Sequence, residues 1–310
     1  MKRYEPTGRL NILLGVLIPI FGIFLQFLAS RQNSWMLVLL LAIVFSFVYL
    51  PLYTLLHEAE HKLFHSDKKI NYIFGVWLAA FFPAPFSFIR CCHLGHHARN
   101  RTDVEAFDYY FAGQNPLLKR VQFYIIFLGN FWILLPISIL VLVFYPPLLY
   151  SNLVKSDMRT YAMVKNISSR PVMLMRLESL FALLLHASLV YFLDLSLLTY
   201  FFLYYLYGLN WSVQNYIPHA FSPRDITNGA FNLKTNVFYE KLLLHFNWHL
   251  AHHQHPTIPW YHLPKFDDPK REQREYLTAF LRFLKGPKLC TEPSPKPMQA
   301  EQGEWDFVHQ

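Results

Sequence analysis

The sequence predicts an all-α integral membrane bundle of about four spans, with re-entrant or interfacial helices and a polar cap. Three observations carry this reading. Only 15% of the 310 residues are charged, well below the roughly 25% of ordinary soluble domains. Hydrophobic residues make up 54% and aromatic ones 18%, too much for a water-facing surface of this size. Residues 10–30 and 34–56 each run without a formal charge, and about 20 apolar residues of helix cross a hydrocarbon core.

Taken in order, the first span (10–30) follows the basic start Lys2, Arg3 and Arg9. No small-residue cleavage pattern follows it, so it reads as a retained span rather than a signal peptide. A short loop joins it to the second span (34–56), as in a tight hairpin. Residues 71–89 are apolar and aromatic but interrupted by Pro83 and Pro85, which suits a re-entrant or interfacial segment. The next apolar blocks, 121–150 and 172–214, flank a polar stretch.

If the two histidine-rich regions meet on one face, an even number of crossings separates them. Either 121–150 and the following block each cross once, or 121–150 dips and returns while the next block turns back at Asp194. The second arrangement is favoured. An Asp at mid-membrane costs several kcal/mol, and Lys155, Arg159, Lys165 and Arg170 between the blocks mark a cytoplasmic loop. The sequon Asn166-Ile167-Ser168 offers a check, because a glycan there would reverse the choice.

Residues 1–285 thus read as one membrane domain, with a cap from 57–120 and 215–285. The Pro-, Glu-, Gln- and Lys-rich tail 286–310 reads as disordered. Net charge is +8 and reads as topology information, and no basic-aromatic module points to nucleic acid. Cysteines 91, 92 and 290, odd in number with two adjacent, argue against a disulfide framework and for a reducing side.

The chemistry lies in the histidines. Of 15 in the chain, 13 fall within 57–97 and 219–262. His57 and His61, four apart, share a helix face. His93, His96 and His97 form H-x-x-H-H, and so do His249, His252 and His253. The spacing i, i+3, i+4 brings side chains toward one point, as a metal requires of several ligands. His219 adds another imidazole just after the last span, four residues beyond Asn215. One H-x-x-H-H alone could be a surface patch; two copies beside H-x-x-x-H, all flanking spans, are not.

Residues 57–61 read HEAEH, the zinc-protease pattern in which two histidines hold metal and the glutamate is a base. A catalytic zinc takes three protein ligands, which would leave both H-x-x-H-H boxes idle. Eight or nine imidazoles instead supply two metals. Imidazole suits iron, copper, nickel and zinc, and a membrane setting with an apolar substrate favours iron and O2, since only a strong oxidant attacks an unactivated C–H bond. Neutral imidazoles leave the cationic charge of two ions uncompensated. Nearby carboxylates should offset it and orient imidazole N–H groups: Glu58, Glu60, Asp103, Glu105, Asp108 and Asp225 are placed for this. His65, one turn beyond His61, is a further neighbour. His245, His255 and His262 read as hydrogen-bonding or surface residues, and His186, inside a span, as bonded to a backbone or hydroxyl group.

These residues resemble the membrane fatty acid desaturase and hydroxylase superfamily, whose mark is three histidine boxes around a cytosol-facing di-iron centre. HEAEH resembles the first box, HLGHH the second and HLAHH the third, and NWHLAHHQHPTIPWYHLP is similar to the third-box region beyond its histidines. The resemblance covers roughly residues 35–265. It implies two iron ions held by His57, His61, His93, His96, His97, His219, His249, His252 and His253, with Asn215 acting through water. It implies O2 as co-substrate and a double bond introduced into a membrane lipid or fatty acyl thioester. The absence of a fused haem-binding segment implies a separate electron donor of ferredoxin or cytochrome b5 type. It places a multi-pass protein in a bacterial inner membrane or the endoplasmic reticulum, active on the cytosolic face. Hydroxylases, carotenoid ketolases and alkene-forming decarboxylases share the boxes, and an intramembrane zinc metalloprotease is the rival of another class. The basic residues Arg90, Arg99, Arg101, Lys119, Arg120 and Arg224 are candidates to meet an anionic head group.

Overall fold

A computed structural model of the chain describes residues 4–164, 172–268 and 273–298. The chain is an all-α membrane bundle carrying a histidine-rich cap. Helix α1 (Gly8–Ser30) buries Asn11, Gly15, Pro19, Gly22, Gln26 and Ala29 along one stripe. Leu13, Leu17, Ile20, Phe21 and Phe24 on its other side are exposed. Small and polar residues inside with large apolar ones outside is the pattern of helices packed in lipid, where close approach replaces the hydrophobic drive. Gly22 shows how close: a Cβ there would fall 1.9 Å from the Tyr49 ring.

Helices α2 (Trp35–Val48) and α3 (Leu50–Glu60) form one run of 26 residues, Trp35–Glu60, interrupted only at Tyr49. Pro51 sits in the first turn of α3, where its missing N–H costs nothing. This run delivers the HEAEH segment from the membrane to the cap. Asp67 caps α4 (Lys68–Phe81) by accepting from the Lys69 and Ile70 N–H groups. Residues 82–85 then turn the chain by 94° into α5 (Phe86–Arg99). The prolines expected to break this segment therefore form an elbow.

Asn115 caps α6 (Pro116–Phe127), and Gly129 at φ +81° turns the chain into α7 (Asn130–Phe144), 75° away. The Tyr124 hydroxyl donates to Leu284 O in the cap, at 2.8 Å, while Arg176, near the start of α10 (Val172–Phe192), donates to Val143 O at 3.1 Å. The first bond ties α6 to the cap, and the second ties the end of α7 to the start of α10. Short helices α8 (Asn152–Ser156) and α9 (Met158–Val164) follow. The sequon Asn166-Ile167-Ser168 lies outside the described residues.

Helix α10 turns at Asp194 into α11 (Leu197–Tyr216), which packs along α2. Arg31, in the α1–α2 loop, bonds Asp194 Oδ2 at 3.2 Å and Leu193 O at 3.0 Å. That contact brings both hairpin turns to one end of the bundle. The helix ends bearing His57 and preceding His219 consequently share the other.

The cap closes with α12 (Val237–Leu242), α13 (His249–Gln254), a 3₁₀ turn (Trp260–Phe266) and α14 (Tyr276–Phe283). Two short parallel ladders tie it down. Strand β2 (Leu233–Lys234) pairs with β3 (Arg274–Glu275), and β1 (Tyr109–Tyr110) pairs with β4 (Lys288–Leu289). Strand β4 belongs to the tail that the composition marked as disordered from residue 286. Up to Met298 it instead follows the cap: Cys290 N donates to Tyr110 O at 2.9 Å and Met298 N to Ala98 O at 2.9 Å. Backbone pairing orders this stretch, and composition does not register it.

Candidate metal centre

Three elements converge on a first group of imidazoles. His57 lies in the last turn of α3 and His61 at its C-cap; His93 and His97 come from α5, and His252 from α13. One ring nitrogen from each of the five lies within 4.8 Å of all the others. His61 Nε2 is 2.8 Å from His93 Nε2. That atom is 3.1 Å from His97 Nε2, which is 3.0 Å from His252 Nε2. A second group joins His96, His219 and His253 within the same limit. His219 Nε2 stands 3.3 Å from His96 Nε2 and 2.9 Å from His249 Nε2.

The helical rotation explains the split. Successive residues of a helix point about 100° apart. On α5, His93 and His97 share a face and enter the first group, while His96 is turned into the second. On α13, His252 enters the first group and its neighbour His253 the second. The two H-x-x-H-H boxes, expected to converge on one point, each serve two. The groups adjoin, with His97 and His253 ring centroids 4.4 Å apart.

These nitrogens fit cations. A neutral imidazole nitrogen is either a donor or an acceptor, once. His93 Nε2 and His97 Nε2 each face two other ring nitrogens, so no set of tautomers satisfies the row. Ligands about 2.1 Å from one ion stand about 3 Å apart in cis and about 4.2 Å in trans, which matches the spacing here. His57 Nε2 and His253 Nε2 are buried with no hydrogen-bond partner among the described residues. Burial, reinforced by neighbouring imidazoles, holds His61, His219, His252 and His253 well below the ordinary histidine range. The rings are therefore neutral with lone pairs to give.

Behind the rings, His219 Nδ1 donates to Gly229 O at 2.8 Å, which turns its Nε2 inward. His96 Nδ1 faces Glu105 Oε2 at 3.4 Å, and Arg99 Nε holds the other oxygen of that carboxylate at 3.1 Å. Burial opposes ionisation of Glu105, yet His96 and Arg99 outweigh it and hold the carboxyl below its usual range. Glu60 lies 3.9 Å from His93 Nδ1, and Glu58 accepts from Trp260 N at 3.2 Å while lining a small cavity with His57, His249 and His252.

Other expected neighbours stand elsewhere. His65 Nδ1 accepts from Asp67 N at 2.9 Å, and its ring lies against Gly8. The chain turns after His61, so the next helical turn that would have carried His65 onward does not form. Asp103 is exposed and pairs with Arg224. Asp108 grips Arg101 at 2.7 and 3.0 Å and accepts from Phe221 N at 2.6 Å, so it braces the segment after His219 without touching a ring. Asp225 accepts from Thr227 N and Asn228 N, shaping the turn that presents Gly229 O. Asn215 donates to Trp211 O at 2.9 Å.

Four of the six cations suggested for a head group hold the cap together instead. Arg90 donates to Glu60 O at 2.6 Å, Arg99 bonds Glu105, Arg101 bonds Asp108 and Arg224 bonds Asp103. His245 bonds Trp260 O at 3.2 Å, and His186 bonds Ala80 O at 2.8 Å and the Tyr200 hydroxyl. A buried acid that sequence reasoning missed is Glu178, in the second turn of α10. A single acid in an apolar run is a signal, but nothing in the sequence names its partners.

A family model for fatty acid desaturases matches residues 33–283. The chain belongs to the fatty acid desaturase family. The match takes in both imidazole groups, Glu105 and Glu178, and ends before the tail that overlies the cap. Membership suggests an oxidoreductase acting on lipid acyl chains. No individually characterised protein matches the chain significantly.

Proposed function

We propose that this chain is an O2-dependent membrane fatty acyl desaturase with a di-iron centre. The observation that carries the reading is the division of each H-x-x-H-H box between two adjoining nitrogen groups, an arrangement that suits two cations side by side. His57, His61, His93, His97 and His252 would hold one ion; His96, His219, His249 and His253 the other, with Asn215 acting through water. A pair of irons supplies, when bound, the reduction of O2 to an oxidant able to take hydrogen from an unactivated C–H bond.

The chain's own residues do the rest. The Glu105 carboxylate and Gly229 carbonyl would accept hydrogen bonds from the Nδ1–H groups of His96 and His219, which fixes the tautomer and strengthens each Nε2 as a metal ligand. Tyr53, Trp211 and Phe246 wall the imidazoles off from the bundle, with ring centroids 5.4 and 5.8 Å from Tyr53, and keep water out. Glu58, the base in a zinc-protease reading, has its carboxylate on Trp260 N instead. Lys155 and Arg159 support a cytosolic orientation of this face, where a separate ferredoxin or cytochrome b5 type donor would supply electrons.

Metal analysis of purified protein, with lipid profiling of a host expressing the chain beside a His252→Ala control, tests the proposal. The expected result is two irons per chain and a new mid-chain alkene that the control lacks. Oxygen retained in the product would make it a hydroxylase or ketolase, and a lost carbon a decarboxylase. One zinc per chain would return the peptidase reading.

A further inference from the structure

Glu178 is a buried acid in the second turn of a mostly apolar helix, 5% exposed. Buried carboxylates are expensive and persist where they are fully hydrogen-bonded. Here the partners are specific. Oε1 accepts from the Tyr72 hydroxyl at 2.7 Å and the Ser87 hydroxyl at 2.7 Å, and Oε2 accepts from Ser87 N at 2.8 Å. Ser87 lies in the first turn of α5, directly after the 82–85 elbow, and Tyr72 lies on α4. The first N–H groups of a helix have no partner within it, and that end carries positive partial charge. Pro85 at the cap position supplies no side-chain acceptor. The carboxylate of α10 therefore caps α5 from across the bundle.

What α5 carries gives the contact its meaning. Its last turns hold His93 and His97 of the first imidazole group and His96 of the second. A tilt or slide of α5 at the elbow moves all three rings at once and detunes both groups. We propose that Glu178 is a positioning residue for the metal centre: by capping α5 it sets the angle at which that helix presents imidazoles to both ions. This rests on the metal-binding reading above and adds to it a determinant remote from every ring.

The test uses the full chain in detergent, reconstituted anaerobically with ferrous iron. Glu178→Ala, Ser87→Ala and the double variant are compared with the parent for iron per folded chain, iron affinity and the centre's electronic absorption. Glu178→Ala, which takes away the acceptor of the Ser87 N–H, should weaken iron binding about tenfold, the lower end for partners that orient metal ligands, and shift the absorption, while Ser87→Ala, which removes only the hydroxyl bond, should do so less. The double variant should be no worse than Glu178→Ala alone, because Ser87→Ala then removes only a hydroxyl whose acceptor is already gone. Glu178→Gln, which keeps an acceptor for Ser87 N, should recover part of the affinity. If Glu178→Ala does not fold, Glu178→Gln decides: it keeps the shape of the side chain but loses the charge facing the helix end, and parent-like affinity and spectrum there overturn the proposal. Parent-like iron content and spectrum in the folded variants, or additive losses, would overturn the proposal. A parent that binds no iron would instead sink the metal reading itself.

Discussion

Adjacent histidines of one box have different tasks. His252 Nε2 faces His97 Nε2 at 3.0 Å in the first group, whereas His253 joins His96 and His219 in the second. His252→Ala and His253→Ala should each leave about one ion per chain while lowering activity by at least about 100-fold, at the upper end of losses for metal-site substitutions. Metal stoichiometry on folded protein checks this, and loss of both ions or neither in both variants would show that the groups are not separate sites. The metal-free protein makes a second prediction. Burial depresses His61, His219, His252 and His253 from the ordinary 6.5. Below that pH the unfolded chain binds more protons than the folded one, so stability rises with pH and falls as acid is added. Chelator-stripped protein should lose thermal stability from about pH 7 down to about pH 5, by up to about 1.4 kcal/mol per pH unit for each ring that stays neutral. A midpoint flat across that range would contradict the neutral cluster. At this scale the sequence exposed the ligand candidates, because spacing on a helix is a geometric statement. It could not place Asp103 or His65, because where a chain turns after its last helical residue depends on contacts far away.

Helices were legible where hydropathy alone defines them: α1, the α2–α3 run and α10 fall where apolar length put them. The elbow at 82–85 was foreshadowed by Pro83 and Pro85, whereas the one at Gly129 shows itself in a φ of +81°. The order of residues 286–298 was not, since two ladder pairs and a few backbone bonds leave no side-chain pattern. Nor was the inner stripe of α1, because the size of a residue says little until the helix facing it is known. Gly22 tests that stripe. Any Cβ there meets the Tyr49 ring at 1.9 Å, and Tyr49 is fully buried, so the ring has nowhere to move. Gly22→Ala should cost about 1–3 kcal/mol, the usual range for overpacking, against the small gain in helix propensity that Ala brings elsewhere. Thermal unfolding in detergent reads the outcome, and a variant as stable as the parent would show that α1 does not pack this tightly.

Across the molecule, one ion pair and two hairpins fix which ends of the helices face the same way. Arg31 holds Asp194 at 3.2 Å, so the α1–α2 loop and the α10–α11 turn lie together, while the imidazole groups, β1 and β4 lie at the opposite end. If the α1–α2 and α10–α11 pairs cross a bilayer, these two ends face two compartments. Gln32→Cys and Ser196→Cys should therefore react with a membrane-impermeant maleimide from one side of sealed vesicles, and Lys288→Cys, on exposed β4, only from the other. A triple Cys→Ser background at 91, 92 and 290 removes competing thiols. If the basic segment near Lys155 and Arg159 sets orientation as charge asymmetry does elsewhere, position 288 is the one that labels from the cytosolic side. Labelling of all three positions from one side would mean that the α10–α11 pair does not traverse the bilayer. The histidine regions would then meet through a route other than the even number of crossings on which their encounter depends.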